Sequence, residues 1–195
     1  MDEIAKEMSQ HSRPRDKYIG VYIGILAVIL AVCSLGGGNA NQDATLKNIE
    51  ASNTWAFFQA KNLRRQSIRL QIDDFEAIVA SNPSLAEESK KQIQAKIADY
   101  HAQEKKLTSD PERKEGLDEL FTKGKALEVE RDDALKRGPY FDYGQVMLQI
   151  AIVLASVALI SGGSALLFAS VLSGLIGAAL TIGGFTLAFP LTLFI

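Results

Sequence analysis

The chain has 195 residues, 47% of them hydrophobic and 23% charged, with a formal net charge of −2. These averages suit one soluble domain, but the two classes are segregated. Beyond Arg137 the only charged residue is Asp142, and a chain of this length has too little other core to bury such a tail away from water. The near-neutral balance gives no electrostatic reason to expect nucleic acid as a partner, and a single cysteine excludes an intramolecular disulfide framework or a multi-cysteine zinc site.

A polar N-terminal tail, residues 1–17, leads into YIGVYIGILAVILAVCSLGGG, which runs from Tyr18 to Gly38 without a charge. As a helix this stretch rises about 31 Å, matching a hydrocarbon core of about 30 Å. Tyr18 and Tyr22 suit the interfacial aromatic belt. The basic RPRDK before it and the small Gly38 and Ala40 after it also resemble a signal peptide. Leu30-Ala31-Val32-Cys33 resembles a lipoprotein cleavage box, although Val32 is a poor residue before an acylated cysteine. We read the segment as an uncleaved transmembrane helix that breaks or hinges at the triple glycine, Gly36 to Gly38. Arg13, Arg15 and Lys17 ahead of it predict a cytoplasmic N-terminus and a periplasmic large domain.

Residues 39–138 read as an extramembrane domain of three helices, about 42–80, 84–108 and 112–136. The breaks are set by Pro83 and Pro111. Ser84 with Glu87, and Ser109 with Glu112, have capping-box spacing. Each helix carries a heptad-like apolar stripe: Ile68, Ile72, Phe75 and Val79 on the first; Ile93, Ile97, Tyr100 and Leu107 on the second; Leu117, Leu120, Phe121, Leu127, Ala134 and Leu135 on the third. The charges between them read as solvated faces, with ion pairs worth tenths of a kcal/mol each.

Within the first of these helices, NTWAFFQAKNLR concentrates the only tryptophan and two phenylalanines. Trp55 and Phe58 fall on one face, while Ala56, Ala60 and Leu63 form a small-residue face suited to close helix approach. Asn53, Trp55, Phe57, Phe58, Gln59, Lys61, Asn62 and Arg64 are therefore the candidate packing or partner surface.

The second span runs from about Tyr143 to Ile160 behind the aromatic GPYFDYGQ, and the third from about Ala165 to Ala188. Gly162-Gly163 supplies the turn between them. On the third span Ser170, Gly174 and Ala178 recur every four residues, and Ser173, Gly177 and Thr181 repeat the spacing about 100° away. Ala151 and Ala155 of the second span can receive one of these faces. The other is then free for a neighbouring subunit, making Ser170, Gly174, Gly177 and Ala178 candidate helix-association residues.

The segment ATLKNIEASN followed by NTWAFFQAKNLR is similar to the signature of a bacterial family of small three-span inner-membrane proteins, defined as a domain of unknown function. PYFDYGQVMLQIAIVLASVALIS resembles the same family's aromatic-acidic approach to an apolar span. Members of that family often carry basic and Trp residues in the turn between the last two spans. This chain has Ser161-Gly162-Gly163-Ser164 there, so the resemblance alone does not supply the turn's positive charge. It implies the architecture and no activity.

No residue set predicts chemistry. Cys33 falls mid-span, where a thiol serves as a small apolar filler. His11 and His101 are far apart, and the neighbours Asp73-Asp74 and Asp132-Asp133 point about 100° apart on a helix. We expect no catalytic, cofactor or metal site. No ionisable residue lies within a span, which argues against coupled transport; Gln149 stands out among the polar groups there, with Ser156, Ser170, Ser173 and Thr181 as small additions. The sequence thus predicts an all-α integral membrane protein with three transmembrane helices and a helical-hairpin or coiled-coil extramembrane domain. The expected function is non-catalytic, structural or scaffolding, in a homo-oligomer of the inner membrane. The alternative is an oligomeric channel or an accessory subunit of a membrane transport complex. Expected partners are membrane lipid, further copies of the chain and a protein in the membrane.

Overall fold

The computed structural model describes residues 14–191; the tail 1–13, including His11 and Arg13, lies outside the described residues. Among the described residues the fold is all-α: α1 Pro14–Ser81, α2 Glu87–Thr108, α3 Leu117–Ser161 and α4 Ser164–Thr186. Three helices, α1, α3 and α4, are long and apolar enough to cross a membrane. The chain divides into two compact units, one of Met1–Ala44 with Asp132–Ile195 and one of Thr45–Arg131.

Two gaps between the expected helices, at 39–41 and at 137–142, are helical instead. α1 passes through Gly36, Gly37 and Gly38 as continuous helix. Glycine weakens a helix by about 1 kcal/mol per residue, but here its missing side chain makes room: a Cβ on Gly36 would stand 2.5 Å from Cε1 of Phe141, and one on Gly37 3.1 Å from Cβ of the same residue. The glycines form a seat for an aromatic ring instead of a hinge. α3 likewise runs through Pro139. The proline forfeits one backbone donor, while the next two residues, Tyr140 and Phe141, are buried and hold the turn in place.

The capping boxes also resolve differently. α2 starts at Glu87 behind Ala86 with no side-chain cap. Ser109 closes α2 and gives its hydroxyl to Glu119 Oε1 at 2.7 Å, while the Asp110 N–H reaches Glu119 Oε2 at 3.2 Å. Glu119, not Glu112, organises this connection, and α3 begins at Leu117.

The Thr45–Arg131 unit is built in two layers. The C-terminal part of α1 forms one; α2 and the start of α3 follow each other as the other. Phe75 stacks on Tyr100 with centroids 6.0 Å apart, and Arg69 pairs with Glu104. Further along α1, Lys61 pairs with Glu115, Trp55 meets Phe121 edge-on, and Lys47 Nζ lies 2.8 Å from Glu130. As the α1 number falls its partner's number rises, so both return helices run antiparallel to α1 on the same face. Ala51, Ile68 and Ile72 of that face are buried, as are Leu117, Leu120 and Leu127 of α3. With only one layer against it, α2 has no fully buried residue.

In the other unit three helix segments pack together. On α1 Ile19, Leu26, Cys33 and Ala40 are buried at strict seven-residue spacing, the period of knobs-into-holes packing. Phe141, Leu148, Ala151, Ala155 and Ala158 of α3 are buried opposite, together with Leu180 of α4. Gly162, at φ 70°, turns the chain from α3 into α4.

Candidate functional site

The hydroxyls of Tyr22, Ser170, Ser173 and Thr181 in the three-helix unit are directed at backbone carbonyls. Ser170 Oγ donates to the Ala151 carbonyl at 2.6 Å, and Tyr22 Oη donates to the Ser170 carbonyl at 3.1 Å. One level of the bundle is thereby tied across all three helices. A turn further along α4, Ser173 Oγ donates to the Met147 carbonyl at 2.8 Å. Thr181 returns its hydroxyl to the Gly177 carbonyl of its own helix. In hydrocarbon, where water cannot compete, such bonds and the close approach of small residues supply the association that burial supplies in water.

The glycines set the approach distances. A Cβ on Gly174 would lie 2.9 Å from Tyr22 Oη and 3.0 Å from Leu26 Cδ2, both on α1. One on Gly177 would lie 2.7 Å from Leu148 Cγ and 3.0 Å from the Gly144 carbonyl, both on α3. Gly184 sits against Phe141 in the same way as Gly36. At the opposite end, Arg15 Nη1 donates to the Gly162 carbonyl at 3.0 Å. A guanidinium from α1 therefore stands at the turn that has no basic residue of its own, beside the negative end of the α3 dipole.

In the other unit the aromatic segment divides between two faces. Trp55 packs edge-on to both Phe58 and Phe121, each at 5.6 Å, with Gly124 beneath its indole. Its Nε1 donates to Glu128 at 2.9 Å. The Lys125 ammonium, first, and this indole N–H hold the Glu128 carboxyl below the usual carboxylate range. The Glu104 carboxyl is lowered chiefly by its hydrogen bond from Arg69, and Glu119 chiefly by that from Ser109. Lys61 and Asn62 are half-buried with Trp55 and Phe58, whereas Asn53, Phe57, Gln59 and Arg64 are exposed. Among the described residues no three of His, Cys, Asp and Glu group as metal ligands would.

Residues 15–187 match the family model of DUF4337, a domain of unknown function. The chain belongs to this family. No curated protein and no solved structure matches it. In this DUF4337 chain the match takes in all four helices.

Both small-residue faces of α4 are occupied within the DUF4337 chain itself. Ser170 and Gly174 face α1 and Ala151, Ser173 and Gly177 face α3, and Ala178 is half-buried. The expectation that one of these faces is left for a neighbour is therefore withdrawn: two helices, not one, pack on α4. Sequence reading missed the roles of Arg15, Tyr22 and the Phe141 seat. The seven-residue recurrence of Ile19, Leu26, Cys33 and Ala40 was the available signal for the buried face of α1. Nothing in the spacing announced which ring would fill the glycine seat.

Proposed function

We propose that the protein is a non-catalytic structural or scaffolding component of the bacterial inner membrane, working as a homo-oligomer. The observation that carries this reading is Gln149. Its side chain is exposed on α3 and makes no hydrogen bond to another described residue, although Val146, Ile150 and Val153 around it are the exposed apolar residues of a span. A primary amide left without a partner in hydrocarbon costs several kcal/mol. An amide on a second helix removes that cost, because each group supplies both a donor and an acceptor. Another copy of the chain brings the matching group. The hydroxyls of Tyr22, Ser170 and Ser173, by contrast, are spent on bonds between helices.

We place the N-terminus in the cytoplasm and the Thr45–Arg131 unit in the periplasm. Arg15 supports this, since it brings a basic group both to the start of the first span and to the Gly162 turn.

The reading is tested by the particle mass in mild detergent, which should be a multiple of the 21.2 kDa chain and should fall in Gln149→Leu. A monomeric wild type overturns it. A steady ion conductance of the purified protein in planar bilayers would replace the scaffold by a pore. Ser89→Cys, in a Cys33→Ser background, should react with a membrane-impermeant thiol reagent on spheroplasts; failure to react there, with reaction after lysis, reverses the orientation.

A further inference from the structure

The Thr45–Arg131 unit uses one face of α1 and leaves the opposite one open. Ala51 and Ile72, buried, and Phe58 between them mark the used face at seven-residue spacing. Nearly half a turn round the helix, two further sets recur every seven residues. Leu46, Asn53, Ala60 and Ser67 form the first, and Ile49, Ala56, Leu63 and Leu70 lie three residues after each of them. All eight are exposed; Leu46 is 49%, Ile49 50%, Leu63 66% and Leu70 65% exposed. None carries a charge, whereas a face meant for water in so charged a segment would. This is the a/d spacing of a coiled-coil seam, sustained over about 36 Å of helix.

From this neutral seam we infer that the face is the contact with a second copy of the chain, α1 against α1 in parallel register. The inference rests on the homo-oligomeric membrane reading above and names the surface it uses. Copies held in one bilayer are related by rotation about the membrane normal, so equivalent helices keep the same direction and each seam residue meets its own counterpart. A seam of charges could not do that without like charges meeting. Here the flanking positions pair, across such an axis, Thr45 with Glu50, Ser52 with Phe57, Gln59 with Arg64 and Gln66 with Gln71. No like charges meet in any of these pairs. Asn53 at a core position can bond to its own counterpart, the usual device for fixing register and a two-stranded state. Ala56 and Ala60 allow the helices to come close at the middle of the seam. Antiparallel contact, or a foreign helix, predicts a different pattern of neighbours.

The test is oxidative crosslinking of single-cysteine variants of the full chain in native membranes, in a Cys33→Ser background. Ala56→Cys, Leu63→Cys and Leu70→Cys should each give a disulfide-linked dimer, and Glu76→Cys, exposed on another face of the same helix, should not. Crosslinking at Glu76→Cys as strong as at Leu63→Cys, or none at any seam position, overturns the inference. The replacement Leu63→Arg alters a side chain that is already exposed in the protomer, so its helix content should be unchanged while the crosslink at Leu70→Cys is lost. An oligomeric wild type whose mass and crosslinks ignore Leu63→Arg leaves the scaffold reading standing and removes this interface. A monomeric wild type removes both.

Discussion

The Ser170 hydroxyl lies 2.6 Å from the Ala151 carbonyl oxygen, joining α4 to α3 at the level where Tyr22 of α1 joins α4. Ser170 is fully buried, so its donor has no alternative partner in solvent. Ser170→Ala should lower the stability of the bundle by about 1 kcal/mol, the scale of interhelical hydrogen bonds measured in membranes. Thermal unfolding in detergent reads this directly. A change indistinguishable from zero would mean the bond contributes no more than the packing around it.

Glycines of the same helices should divide by their surroundings. Gly177→Ala puts a methyl group 3.0 Å from backbone atoms of both Gly144 and Leu148, which cannot move without shifting α3, and should cost about 1–3 kcal/mol. Gly24→Ala meets no atom within 4 Å and should be neutral or stabilising by up to about 1 kcal/mol. Equal melting temperatures for the two variants would contradict the close approach of α3 and α4.

Trp55 gives the other unit an optical test, because it is the only tryptophan in the chain. Gly124→Ala places a Cβ 2.8 Å from Cε2 of the indole and should both shift the tryptophan emission to longer wavelength and cost about 1–3 kcal/mol. Phe57→Ala, on a ring 42% exposed, should leave the emission in place. A red shift in Phe57→Ala alone would show that the ring contact is wrongly assigned.

Acid should weaken this unit. Glu104, Glu119 and Glu128 are all held below the ordinary carboxylate value of 4.5 in the folded chain, so protons bind the unfolded chain first as pH drops. Their stabilisation is complete above about 4.5, declines as pH falls through the lowered values, and is gone below them. Melting temperatures measured from pH 7 to pH 3 should fall. Glu119→Gln should lower the melting temperature at pH 7 and flatten its dependence on pH. The three half-buried carboxylates titrate independently of one another, so the change should be gradual, and an unchanged slope in Glu119→Gln would show that its carboxylate does not report on folding.

The three long apolar helices and the helical character of the segment between the first two were legible because a charge-free stretch and an apolar period are local properties. So were the buried stripes Ile68–Ile72 and Leu117–Leu120–Leu127. Local rules failed where a distant residue decides. The triple glycine carries the usual sign of a helix end, and only the ring of Phe141, more than a hundred residues later, turns it into a seat. Ser109 carries the sign of a helix start, yet Glu119 draws it into closing the preceding helix. The fate of the α4 small faces depended on how many helices pack there, which no spacing within α4 encodes. The Ala56, Ala60 and Leu63 face was visible in the sequence; that nothing in its own unit covers it required the two-layer arrangement of α1 with α2 and α3.

Cys33 has no exposed surface and its Sγ lies 3.3 Å from the Phe141 carbonyl oxygen. It is also the only thiol in the chain. The native protein therefore carries a built-in clock: a thiol reagent can reach this atom only when the helices packed around it part. Under conditions where reclosing outruns alkylation, the trapping rate measures the equilibrium between the shut and parted bundle. Lipid composition, detergent and each substitution above can then be ranked on a single scale, without a foreign label and without unfolding the chain.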